Sequence, residues 1–290
     1  MLAADNGPDP GRGPTHDTHA ADQTNGLVPD EDAFRPRPGR LWLLALFMAF
    51  LGGVGGWIAG DEVTHVVHWT ARPRPRGPER QVHPDATGFR LLLVSREEAE
   101  RRNTSLAMGI LGGILGLAAG VGGGLARNTS LAVLRGGLGG LGVGAFAGAF
   151  VPWMLVPEFY RFLNRAPNPM LPVVMHACVY ASIGGAMGLA FGYGLLGRRG
   201  AAKGFITGAM GAVLGSVLFA VLHALLFPME WDFSPMPGNT LSRLLAHVCV
   251  AELSVTCVTV ALGAEARRTA FERAAAFPER DGSLSGDVQR

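Results

Sequence analysis

Four ionisable side chains sit inside long apolar stretches of this 290-residue chain: His176, His223, His247 and Glu252. An ionisable group within a membrane span is costly, and it marks a solute path, a proton relay or a bound ion. Imidazole can carry a proton, and it also ligates zinc, copper or haem iron. Two of the histidines share a pattern, His176-Ala177-Cys178-Val179 and His247-Val248-Cys249-Val250. Residues two apart on a helix point about 200° away from each other, so one His-x-Cys cannot close on a single ion. A shared site would use the histidines and leave the cysteines to packing. The plainer role for buried histidines is hydrogen bonding between helices.

A second group follows the first apolar stretch: Asp61, Glu62, His65 and His68, then Trp69. On a continuing helix Asp61, His65 and His68 share a face at i, i+4 and i+7. Two imidazoles and a carboxylate can hold a metal. The alternative is an interfacial turn anchored by Trp69. The cofactor chemistry left open is therefore metal or haem. No phosphate loop, CxxC pair or HExxH motif is present, and the pattern offers nothing for nucleic acid. The expectation is a protein that is not an enzyme.

The elements that must position these groups are membrane helices. The chain is 48% hydrophobic and 17% charged, with mean hydropathy +0.25, too apolar for an ordinary soluble domain. Residues 1–38 are polar and rich in helix breakers, which predicts a disordered tail. Spans of about 20 residues or more are predicted at 41–60, 104–125, 129–155, 171–196, 203–227 and 241–263. The segment 61–103 reads as a polar extramembrane stretch, and 264–290 as a charged tail, helical to Ala276. The fold class is an all-α integral membrane protein, a six-helix glycine-rich transmembrane bundle.

Of 42 glycines, many recur at every fourth residue inside these spans. The runs are Gly52-Gly56-Gly60, Gly112-Gly116-Gly120-Gly124, Gly136-Gly140-Gly144-Gly148 and Gly184-Gly188-Gly192. In water each would cost a helix about 1 kcal/mol relative to Ala. In lipid the helix persists, and a missing side chain lets another helix approach closely. Such glycine-zipper faces could also mate with a second copy or with partner helices. One hexapeptide, Arg102-Asn103-Thr104-Ser105-Leu106-Ala107, recurs as Arg127-Asn128-Thr129-Ser130-Leu131-Ala132. Each copy carries helix N-cap chemistry before a glycine-rich span. A duplicated helix is expected, arranged as a hairpin unless one copy is re-entrant.

Short-loop charge predicts the orientation. The basic Arg198, Arg199 and Lys203 place that loop in the cytoplasm, with both termini on the same side; the Arg-rich 61–103 is the misfit. The dominance of Arg over Lys points to GC-rich bacterial coding, and so to the bacterial cytoplasmic membrane. Arg135 is expected to snorkel to the inner interface. His176, His223 and His247 then all lie roughly 6–9 Å below the outer interface. His176 continues the stripe of Tyr180, Gly184, Gly188 and Gly192, while Glu252 stands about 140° round the helix from His247.

Ser182 in the fourth span and His247 in the sixth loosely resemble the Ser–His layout of rhomboid intramembrane proteases. The Gly-x-Ser-Gly of that family is absent, since Ser182 follows Tyr180-Ala181 and precedes Ile183. Ser182 is also predicted about 8 Å deeper than His247, so no Ser–His dyad is expected. Three readings remain: a bundle that binds or passes a small solute or ion, a metal- or haem-binding protein, and an assembly component.

Overall fold

A computed structural model of the chain describes residues 38–67, 69–70, 86–165, 170–228 and 239–276. These residues form six helices and no strand: α1 (Pro38–Val66), α2 (Ala86–Ala126), α3 (Ser130–Arg165), α4 (Met170–Leu196), α5 (Arg198–Leu226) and α6 (Thr240–Ala276). Each contains a segment long and apolar enough to cross a membrane. Their outer faces are apolar, as with Ile206, Met210, Leu214, Val217, Val221 and Leu225 on α5. A surface of that kind is stable against hydrocarbon and would aggregate in water. The chain is an all-α, multi-pass integral membrane protein.

Because the helices alternate in direction, α2–α3 and α4–α5 turn at one end of the bundle, the turn end. Helices α1, α3 and α5 end, and α2, α4 and α6 begin, at the opposite, loop end. Helices α1, α2, α4 and α6 each pack on the next in a closed circuit. Helix α3 lies against α2 and α4, and α5 lies against α4 and α6. Helix α4 therefore touches four others, and Tyr180, Ile183, Ala186, Met187, Ala190 and Phe191 are all buried.

Two hairpins carry the closest packing. In α2·α3, a methyl group placed on Gly112, Gly116 or Gly120 would overlap the backbone carbonyl of Gly144, Gly140 or Gly136 respectively. In α4·α5, the matching pairs are Gly184 with Gly208, Gly188 with Gly204 and Gly192 with Gly200. Lipid supplies no hydrophobic drive between helices, so backbone-to-backbone dispersion and Cα–H···O contacts must hold them. Only glycine allows that approach. The hairpins correspond at one constant offset, which matches Gly116, Gly120 and Gly124 to Gly184, Gly188 and Gly192, and Arg135 to Lys203. Each turn holds one residue in the left-handed region, Asn128 (φ 57°) and Gly197 (φ 66°).

The hexapeptide repeat departs from expectation. Only its second copy opens a helix: α3 starts at Ser130, and the Val133 N–H donates to the Thr129 carbonyl at 3.1 Å. The first copy lies inside α2, which begins at Ala86 and runs for 41 residues. Ion pairs one turn apart, Arg102–Glu98 at 2.5 Å and Arg96–Glu100 at 3.9 Å, support the helix upstream of Asn103. Asn103 is consequently no N-cap. Its amide clamps the chain after α1 instead: Trp69 N–H donates to Oδ1 (3.1 Å), and Nδ2 donates to the Trp69 carbonyl (3.0 Å). Helices α2 and α3 pack as a long antiparallel hairpin, and each is long and apolar enough to cross a membrane. Helix α1 continues past Gly60 to Val66, α3 continues through Pro152 and Pro157 to Arg165, and α6 reaches Ala276.

Candidate polar site at the loop end

The α4·α5 ladder stops two rungs before its counterpart does. Where α2 has Gly112 and Met108, α4 has Tyr180 and His176. The ladder register sets these opposite Ala212 and Ser216 of α5, both buried. Small residues on α5 thus leave room for large polar rings on α4.

Those rings form a continuous run across three helices. His247 of α6 meets Tyr180 edge-on with ring centroids 6.3 Å apart. Tyr180 and Phe219 each lie 6.2 Å from His176. Phe219 then lies 5.4 Å from His223, and His223 lies 5.4 Å from Phe227 near the end of α5. His176, His223 and His247 are therefore brought together, with Tyr180 and Phe219 as the links. The buried end of the run is Tyr180, 0% exposed, and His247, 6% exposed. His176 and His223 are half-buried.

The buried end has unmet hydrogen-bonding capacity. The Tyr180 hydroxyl and both ring nitrogens of His247 have no partner, and neither do Ser242 Oγ and Ser254 Oγ. Leaving a buried polar group unmet costs about 1–3 kcal/mol. A native structure carries such groups for a reason, a ligand or bound water being the usual one.

Arg243 completes the site. It lies one turn before His247 on α6 and pairs with Asp61 of α1 at 2.9 Å, with the two side chains only 15% and 20% exposed. Its Nε has no hydrogen-bond partner. The same helices are tied by Trp57, whose indole N–H donates to the Thr240 carbonyl at 3.1 Å. Arg243 is not among the candidates singled out from the sequence. The signal available was its position four residues from His247, on the same helix face.

The remaining candidates are dispersed. Asp61 is engaged by Arg243; the side chain of His65 and all of His68 lie outside the described residues. Glu62 is exposed. Glu252 is half-buried on a different face of α6, and no hydrogen bond or ion pair joins it to the ring cluster. Among the described residues, no three His, Cys, Asp or Glu side chains gather closely enough for a metal ion. Cys178 is exposed, and Cys249 and Cys257 are half-buried free thiols. Ser182 donates its hydroxyl to the Val179 carbonyl at 2.7 Å, away from His247. Arg135 is exposed near the turn end, while Lys203, its counterpart, pairs with Glu265 of α6. No family model, curated protein or solved structure matches this chain.

Proposed function

We propose that this protein binds a small polar solute or ion in the loop-end half of its bundle. Tyr180 and His247 would form the deep part of the site, with His176 and His223 leading towards the surface. The observation that carries the reading is the fully buried Tyr180 hydroxyl beside a buried His247, both without partners. In a solute path, Glu252 would be the next polar group, about 7–8 Å further along α6. The basic turn end, with Arg198, Arg199 and Lys203, supports a bacterial cytoplasmic-membrane protein with both termini inside.

A metal or haem bound by the same histidines is the competing reading, and so is a metal on Asp61, His65 and His68. Arg243 disfavours a cation at either place, because its guanidinium already sits on Asp61 and it stands one helical turn from His247. An assembly role through glycine faces would use Gly139 and Gly142 of α3, which have open space around them, since the ladder glycines are consumed within the chain.

Purified protein in proteoliposomes tests the proposal by flux and equilibrium binding of small solutes of each charge type. Saturable binding or flux that falls in Tyr180→Phe and His247→Gln is expected. Binding indifferent to both substitutions overturns it. A Soret band or stoichiometric metal lost in His176→Ala and His247→Ala would favour the cofactor reading instead.

A further inference from the structure

We infer that the ligand of this site is a small oxyanion, a carboxylate or phosphate-type group, which takes the Arg243 guanidinium in exchange for Asp61. The inference rests on the site proposed above and names its ligand class.

Helices α4 and α6 both start at the loop end, and helical side chains lean towards the N-terminus of their own helix. Tyr180 and His247 therefore both lean towards the turn that carries Arg243. Three unpartnered groups stand in this part of the bundle: Arg243 Nε–H one turn from His247 on α6, the His247 ring nitrogens, and the hydroxyl of Tyr180, whose ring meets His247. A guanidinium one turn from His247, held in place by Asp61, repels a cation and attracts an anion.

Asp61 already shows that a carboxylate fits this guanidinium, at 2.9 Å from one terminal nitrogen. That contact leaves Nε unused, whereas guanidinium pairs best with a planar oxyanion through two parallel N–H bonds. An incoming carboxylate can occupy both positions and accept from Tyr180 as well. Exchange of one carboxylate for another also keeps the buried guanidinium paired throughout, avoiding the large penalty of an uncompensated charge. Asp61 lies near the end of α1, which finishes at Val66, so its carboxylate is close to water when displaced. The ion pair between α1 and α6 is then a resting state that the ligand replaces.

Isothermal titration of the detergent-purified full chain with sodium acetate and inorganic phosphate tests this. Tyr180→Phe and His247→Gln should each weaken acetate binding about tenfold, and Arg243→Gln should abolish it. Asp61→Asn removes the competing carboxylate and should tighten acetate about tenfold; a folding defect cannot mimic that gain. Unchanged or weaker binding in Asp61→Asn overturns the inference. Binding of cations or neutral solutes that depends on Tyr180, with no binding of acetate or phosphate, overturns it and leaves the site reading standing. Absence of any Tyr180-dependent binding defeats both. Nanodiscs separate the sources: if phosphatidylglycerol but not phosphatidylcholine blocks acetate, the natural oxyanion is a lipid headgroup. Equal acetate binding in both identifies a soluble acid.

Discussion

The hairpins α2·α3 and α4·α5 follow one packing rule and part from it at a single level. Near the turn end both are backbone-to-backbone ladders, Gly116 against Gly140 in one and Gly188 against Gly204 in the other. Towards the loop end α2·α3 keeps its ladder, with Gly112 against Gly144 and Gly148 against the Met108 backbone. It finishes with Arg101 stacked on Trp153 at 3.5 Å. At the same level α4·α5 holds Tyr180 and His176, with the Tyr180 ring against His247 of α6 and the His176 ring against Phe219 of α5. One hairpin is filled by packing to its end, and the other replaces its last rungs with polar rings. Two hairpins built on one spacing can thus differ at one level, one closed by backbone contact and the other open to the proposed site.

The largest effects should come from the shared part of the ladders. Gly116→Ala and Gly188→Ala each push a methyl group into a backbone carbonyl that cannot yield without separating the helices. Each should lower unfolding stability in detergent by roughly 1–3 kcal/mol. If Gly188→Ala is harmless while Gly116→Ala is not, the two ladders are not equivalent, and the comparison breaks.

Next is the level at which the hairpins differ, where the sign should reverse. Tyr180→Phe removes a buried hydroxyl with no partner, so stability should stay level or rise by up to about 1 kcal/mol, while solute binding falls. Stability lost together with binding would make Tyr180 a packing residue like Gly112. The turns should differ by a smaller margin. Gly197→Ala should cost about 1–3 kcal/mol, because its backbone (φ 66°, ψ −148°) is one that essentially only glycine adopts, whereas Asn128→Gly should change stability by only about a few tenths of a kcal/mol. Thermal unfolding of the two variants checks both.

The smallest effect belongs to a neighbour of the ladder. Gly139 has open space around it and Gly140 does not. Gly139→Ala should therefore be neutral within about 0.5 kcal/mol, and Gly140→Ala should resemble Gly116→Ala. Side-by-side unfolding curves separate them.

Much of this was legible beforehand. Hydropathy marked the six spans, because hydrocarbon forces every backbone group to pair within its own helix. Spacing of four marked the stripes, and counting 1.5 Å per residue from the span ends set His176, His223 and His247 at one level of the bundle, where their rings lie in one run. The start of α2 was not legible. The charged run before Asn103 looks like a loop by composition, yet its side chains pair one turn apart and extend the helix. The repeat misled for the same reason. Arg-Asn-Thr-Ser-Leu-Ala caps a helix where a turn precedes it and continues one where a helix does.

Asp61 with Arg243 was hidden because the two are far apart in the chain and their pairing depends on α1 closing against α6. The chain alone determined which residues must leave water, which faces are smooth and at which turn of its helix each polar group stands, since these are local consequences of side-chain size and helical period. The tertiary structure decided which ladder stops, which rings meet and which charge faces them. Those are properties of neighbours, and only the packed bundle supplies neighbours from other helices.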